Sequence, residues 1–149
     1  MPLHDPDAIR QLLESTTNIA LVGASDKPQR PSHEVMVFLQ QQGYRVIPVN
    51  PRLEGQTLLG ERVYATITDI PDPIDLVDVF LAPERTDPVI DRAIDRGVPA
   101  VWLQIGVINH PGADRAEQAG LAVVMDRCPK RDIPSLGILG PGRRPASAH

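Results

Sequence analysis

Residues 23 to 32 read Gly-Ala-Ser-Asp-Lys-Pro-Gln-Arg-Pro-Ser and follow directly on an apolar run. Ser25 offers a hydroxyl and an amide, while Lys27 and Arg30 supply positive charge. A helix opening near Ser32 would aim its free N–H groups and positive dipole end into the same space. Together these groups suit an anion, and a phosphate above all. Further polar stretches follow later apolar runs: Asn50-Pro51-Arg52, Ala82-Pro83 and Gln104-Ile105-Gly106. The plainer reading of the first stretch is a tight turn at Gly23 with solvated surface cations.

The loop is a poor dinucleotide fingerprint. Laid on Gly23, the pattern G-x-G-x-x-G finds Ser25 and Pro28 where its second and third glycines belong. An acid at the end of the second strand would accept from a ribose 2′-hydroxyl, but Asn50-Pro51 stands there. Arg52 suits a phosphate carried on the ribose, as in NADP or coenzyme A, or else it is an exposed loop cation.

No catalytic constellation emerges. Cys128 is the chain's one cysteine and has no His beside it to raise thiolate character. A small, half-buried side chain is its plain role; a mixed disulfide with a cofactor thiol would need it exposed at the cleft. Of His4, His33, His110 and His149, only His33 is expected near the loops named above. Asp69, Asp72, Asp75 and Asp78 read as a loop and strand entrance, because no period pairs them. Trp102 lies inside an apolar strand and reads as core, leaving Gln104 as the polar group at that strand's end.

The elements that must position these residues alternate. Asp5-Pro6 starts a helix over 6–15, with Ile9, Leu12 and Leu13 on one face. Residues 19–23 form a strand, 44–49 a second, 76–81 (LVDVFL) and 100–103 two more, and 121–125 (LAVVM) the last. Between them come helices carrying Val35, Phe38 and Leu39, ending at Gly43; then 87 to Gly97; then 111–119 before Gly120. Residues 52–73 hold no long periodic segment, only a short strand near Val63-Tyr64 and a helical turn from Thr66 to Ile70. Strand–helix alternation implies right-handed crossovers and a mostly parallel five-stranded sheet with helices on both faces. Ligands of such α/β sheets sit beyond the strands' carboxyl ends, where the polar loops lie.

Composition bounds the function classes. At 149 residues, the chain has the length of one domain. Only one Trp, two Tyr and two Phe are present, so the core must be aliphatic. A formal charge of −4 argues against nucleic acid, which needs a basic footprint. A local cation cluster still prevails over distances of roughly 8 Å. A single Cys rules out an internal disulfide and multi-cysteine metal sites, and suits a reducing cytoplasm. No signal peptide or membrane span is read, and residues 140–149, rich in Gly and Pro, are expected to be a disordered tail after a domain over 1–139.

Taken in order, VGASDKPQRPSHEV, GYRVIPVNP, LLGERVYATITDIP, DLVDVFLAPE, VPAVWLQIGV and AGLAVVMDRC closely resemble the stand-alone coenzyme A-binding domain proteins. These are relatives of the N-terminal domain of the succinyl-CoA synthetase α subunit. The resemblance runs from about Asn18 to about Arg131. It implies a Rossmann-like fold that binds coenzyme A or an acyl-CoA. By motif it implies that Gly23, Ala24, Ser25, Lys27, Arg30 and Ser32 face the phosphates. Asn50, Pro51 and Arg52 would lie near the adenosine, and Pro83 and Gln104 along the rest of the cleft. The synthetase's later domain, with its phosphorylatable His, and its ATP-binding partner subunit are not expected here. The resulting expectation is a non-catalytic binding protein whose partner is a small nucleotide cofactor. An NAD(P)-dependent enzyme or redox sensor, an interaction module with a decayed site, and a detached synthetase subunit stand as alternatives.

Overall fold

The computed structural model describes residues 1–143. Five parallel strands form the central sheet: β1 (Asn18–Val22), β2 (Arg45–Val49), β5 (Leu76–Val79), β6 (Ala100–Leu103) and β7 (Ala122–Met125). A separate antiparallel hairpin is made by β3 (Thr57–Leu58) and β4 (Glu61–Arg62). The strand order is β2-β1-β5-β6-β7, so the winding reverses between β1 and β5. Every pairing in the central sheet is parallel, and the fold is α/β and Rossmann-like.

Side chains alternate along each strand and so feed two cores. Ala20, Val22, Val77, Val79, Val101 and Leu103 face α3 (Asp87–Arg96) and α4 (His110–Gln118) through Ile90, Ala93, Ala113 and Ala116. Ile19, Leu21, Leu76, Trp102 and Val124 face α1 (Pro6–Ser15), α2 (Pro31–Gln41) and α5 (Pro129–Ser135) through Ile9, Leu13, Met36, Leu39 and Ile133. Trp102 is fully buried and donates Nε1–H to the Arg127 carbonyl at 2.8 Å, which makes it a core residue.

Most predicted elements have the expected type. Asp5 caps α1, accepting from the Asp7 amide at 3.3 Å, and Gly97 ends α3 in the left-handed region. Three features differ. The hairpin of β3 and β4 occupies what read as loop, and Val63-Tyr64 contributes only an isolated bridge from Tyr64 to Val49. A fifth helix, α5, follows the last strand. Of the tail expected over 140–149, residues Pro141–Arg143 form a 3-10 turn, and the Gly142 amide donates to the Gln42 carbonyl at 2.9 Å. The remainder of that tail lies outside the described residues. No helix among the described residues is long and apolar enough to cross a membrane.

Candidate functional site

A cleft of about 1440 Å³ opens over the carboxyl ends of the strands, at the reversal between β1 and β5. Ordinary small-ligand pockets measure roughly 300–1,000 Å³, so this one has room for an extended molecule. Gly23, Ala24, Ser25, Lys27, Arg30, Ser32, Asn50, Pro51, Arg52 and Gln104 all line it. Pro83, predicted beside them, does not; it starts the 3-10 turn Pro83–Arg85, whose Glu84 and Arg85 reach the cleft instead. His33 lies in the first turn of α2 but is not on the cleft wall.

Gly23 has φ +88°, and a Cβ there would stand 2.2 Å from the Phe80 carbonyl oxygen. The glycine is therefore required by the close approach of the chain leaving β5, whatever the loop binds. Beyond it, Ser25 Oγ accepts from the Lys27 amide at 3.1 Å, folding the loop back on itself. Arg30 occupies the N-cap of α2 without bonding the helix through its side chain, and Pro31 follows at the first helical position. The guanidinium is exposed, and the positive end of α2 faces the cleft beside it.

Asn50 is engaged on both sides. Its Nδ2 donates to the Ala24 carbonyl at 2.8 Å, and its Oδ1 accepts from the Arg52 amide at 2.9 Å. It ties the end of β2 to the first loop, so the sequence position that would hold a ribose-binding acid serves as a brace. The Ala65-Thr66-Ile67 wall is fixed from below by Arg96, whose guanidinium donates to the carbonyls of Ile67, Ile70 and Asp72 at 2.7, 2.7 and 2.5 Å.

Charge in the cleft opposes that of the chain. Lys27, Arg30, Arg52, Arg85, Arg92, Lys130 and Arg131, seven cations, line it against three acids, Asp26, Glu34 and Glu84. Arg85, Arg92, Lys130 and Arg131 were not singled out in the sequence, because they lie in the turn and helix after β5 and in α5, each far along the chain from the first loop. The Pro after Cys128, which opens α5 and carries the last two into place, was the available signal.

At the inner wall Gln104, expected on the cleft, meets Asp78, and Cys128 lies on the same wall. Asp78 lies within β5, fully buried, so its expected place at a strand entrance is corrected. Its neighbours in that cluster do serve the edge: Asp75 accepts from the Thr17 and Asn18 amides at 3.0 and 2.9 Å, and Asp72 pairs with Arg45. Gln104 Nε2 donates to Asp78 Oδ1 at 2.7 Å, while Asp78 Oδ2 has no hydrogen-bond partner among the described residues. Burial pushes the Asp78 carboxyl up to about 7, against the hydrogen bond from Gln104 that lowers it. Cys128 is half-buried on the cleft wall. Burial raises its thiol above the ordinary range, opposed by the amides of Lys130 and Arg131. Its position is fixed by the Arg127–Asp132 ion pair, 2.9 Å at both contacts, across the first turn of α5.

A Rossmann-like sheet whose switch-point cleft gathers cations around a helix N-terminus is an architecture suited to anionic ligands. The family model for the CoA binding domain matches residues 17–134, and the chain belongs to that family. It is 35% identical over 122 residues to the YneT protein of Bacillus subtilis, covering 82% of this chain and 89% of that one. A solved structure from Pyrococcus horikoshii superposes with a TM-score of 0.86 at 39% identity, covering 91% and 96% of the two chains. The α subunit of acetate–CoA ligase (ADP-forming) I from Pyrococcus furiosus is 26% identical over 115 residues. That match takes in 72% of this chain, which spans only 25% of the subunit's length.

Proposed function

We propose that the cleft binds coenzyme A or an acyl-CoA through its phosphates, as a binding protein without catalysis of its own. The observation that carries this reading is the seven-to-three excess of cations in a cleft of a chain whose formal charge is −4. Lys27, Arg30 and the α2 N-terminus would hold the diphosphate, and Arg52 the ribose phosphate. The donor set fits such a polyanion: exposed cations surround a helix end that needs acceptors. Asn50 is neutral and holds both polar atoms on the backbone, so β2 ends without the carboxylate that takes a free ribose diol, which favours coenzyme A over NAD. When bound, coenzyme A would supply a thiol or thioester; the protein's own part is to orient it.

A thermal-shift panel of coenzyme A, acetyl-CoA, NAD, NADP and ADP tests the reading. A ligand at about 100 times its dissociation constant stabilises a fold by about 2.7 kcal/mol. Stabilisation by the coenzyme A species above the others is the expected result. A shift with NADP alone would overturn the ligand, and no shift with any compound would leave the interaction-module reading.

A further inference from the structure

Cys128, Gln104 and Asp78 lie together on the α2 and α5 face of the sheet, at its carboxyl edge. Strand alternation places Asp78 on the same face as Leu76 and Trp102, the core against which Cys128 also packs. Gln104 bonds Asp78 and lines the cleft; Cys128 lines it too. The cleft wall thus carries a thiol, and behind it Gln104 contacts a fully buried carboxyl whose Oδ2 has no hydrogen-bond partner among the described residues. Neither group is needed to hold phosphates, and an aliphatic residue in place of Asp78 would avoid the cost of burying it.

We propose that Cys128 is a thiol–disulfide exchange site for the molecule held in the cleft, a proposal that rests on the coenzyme A reading above. The substrate class is a disulfide with a nucleotide-bearing half, such as the symmetrical disulfide of coenzyme A. The Cys128 sulfur, having lost its proton, attacks one sulfur of that disulfide. The old S–S bond breaks, a mixed disulfide forms on Cys128, and the released thiolate takes up a proton. Electrons balance within the exchange, because the incoming disulfide is the oxidant.

The surroundings favour selectivity over general reactivity. Cys128 is half-buried, and the charge of Asp78 opposes its ionisation, while Arg131 and the two α5 amides favour it. Across the cleft from α2 comes Glu34, 4.0 Å from Lys130. A thiol held in that balance reacts slowly with disulfides arriving from solution. A disulfide anchored by its phosphates is presented at a high effective concentration and overcomes this handicap.

Intact-mass spectrometry of the full chain, incubated with coenzyme A disulfide or with oxidised glutathione at equal concentration, tests the proposal. The expected result is modification at Cys128 at least about tenfold faster by coenzyme A disulfide, slowed by added ADP, and absent in Cys128→Ser. Equal rates for the two disulfides would overturn it. So would a coenzyme A disulfide that leaves Cys128 unmodified while coenzyme A itself stabilises the fold, and the binding reading would survive that outcome. Loss of stabilisation by coenzyme A together with loss of modification sinks both. Alkylation by iodoacetamide checks the local charges separately: Asp78→Asn should accelerate it and Arg131→Ala should slow it. Arg131 is exposed, so that second variant stands even if the first fails to fold.

Discussion

Gln104 Nε2 donates to Asp78 Oδ1 at 2.7 Å beneath the cleft floor, joining a residue on the cleft wall to a carboxyl buried in the central sheet. The carboxyl is pushed from 3.8 up to about 7, so the folded protein holds a proton there that the unfolded chain has lost. Where the native state binds more protons, stability falls as pH rises. The contribution of Asp78 is therefore complete below about pH 4 and is lost progressively by about pH 7, a span worth about 4 kcal/mol. Asp78→Asn keeps an acceptor for Gln104 and does not titrate. Urea denaturation of both proteins at about pH 5 and about pH 8 should show the variant gaining on the wild type by about 2–3 kcal/mol. A constant difference between the two would place the Asp78 proton elsewhere.

Gly23→Ala should damage the fold before it damages any site. The added Cβ meets a backbone oxygen, which has no rotamer to escape through, and φ +88° disfavours any side chain. A loss of about 1–3 kcal/mol is expected, seen as a lowered midpoint in thermal denaturation without ligand. An unchanged midpoint would mean that the chain leaving β5 can yield at Phe80.

Much of this architecture was legible because strands and helices here obey simple periods. Ile19 to Val22 and Ala100 to Leu103 are continuous apolar runs, and Asp5, Gly43 and Gly97 sit where caps and stops belong. The hairpin was hidden by its turn: Leu59-Gly60 takes positive φ at both residues, 50° and 83°, where Asn-Gly is the usual signal. Helix α5 was hidden by its brevity and by Pro134 inside it. In the site, the first loop could be read because its cations are neighbours in sequence. The buried pair of Asp78 and Gln104 lies 26 residues apart, and only the register of β5 beside β6 brings it together.

Arg30→Ala tests the phosphate cradle with little structural disturbance. The side chain is exposed and makes no bond to the α2 helix end, so stability should move by less than about 0.5 kcal/mol. Loss of one charge-assisted contact costs roughly 1.5–3 kcal/mol, which is about 10-fold to 150-fold in coenzyme A affinity by titration calorimetry. Added salt should weaken wild-type binding more steeply than that of the variant, because fewer charges remain to be screened. Wild-type affinity in Arg30→Ala would remove this residue from the cradle.

Arg96→Met asks whether the far wall of the cleft is held by one side chain. Three carbonyls on the segment from Ile67 to Asp72 would lose their donor, while the aliphatic stem is retained. Hydrogen bonds to a charged group contribute roughly 1.5–3 kcal/mol each but are not additive, so a total loss of about 2–3 kcal/mol is expected in urea denaturation. Hydrogen exchange should rise first in the 66–72 amides. Unchanged protection there would show that the wall stands on its own packing.

Asn50→Asp separates a brace from a ligand contact. The change is isosteric, but it replaces the Nδ2 donor with an oxygen facing the Ala24 carbonyl, and it adds a negative charge to a cleft suited to anions. The Oδ1 bond from the Arg52 amide can persist, so the end of β2 keeps its turn while its tie to the first loop is cut. Stability without ligand should fall by about 1–3 kcal/mol, because a buried acceptor loses its donor. Coenzyme A affinity should fall as well, through both the loosened loop and the repulsion. The Asn50→Ala variant removes both the tie to Ala24 and the bond from the Arg52 amide without adding charge. If Asn50 acts by bracing, alanine should reproduce the stability loss and most of the affinity loss. If aspartate instead gained affinity for NAD, the position would be acting as the ribose-reading acid of a dinucleotide site, and the brace would be incidental.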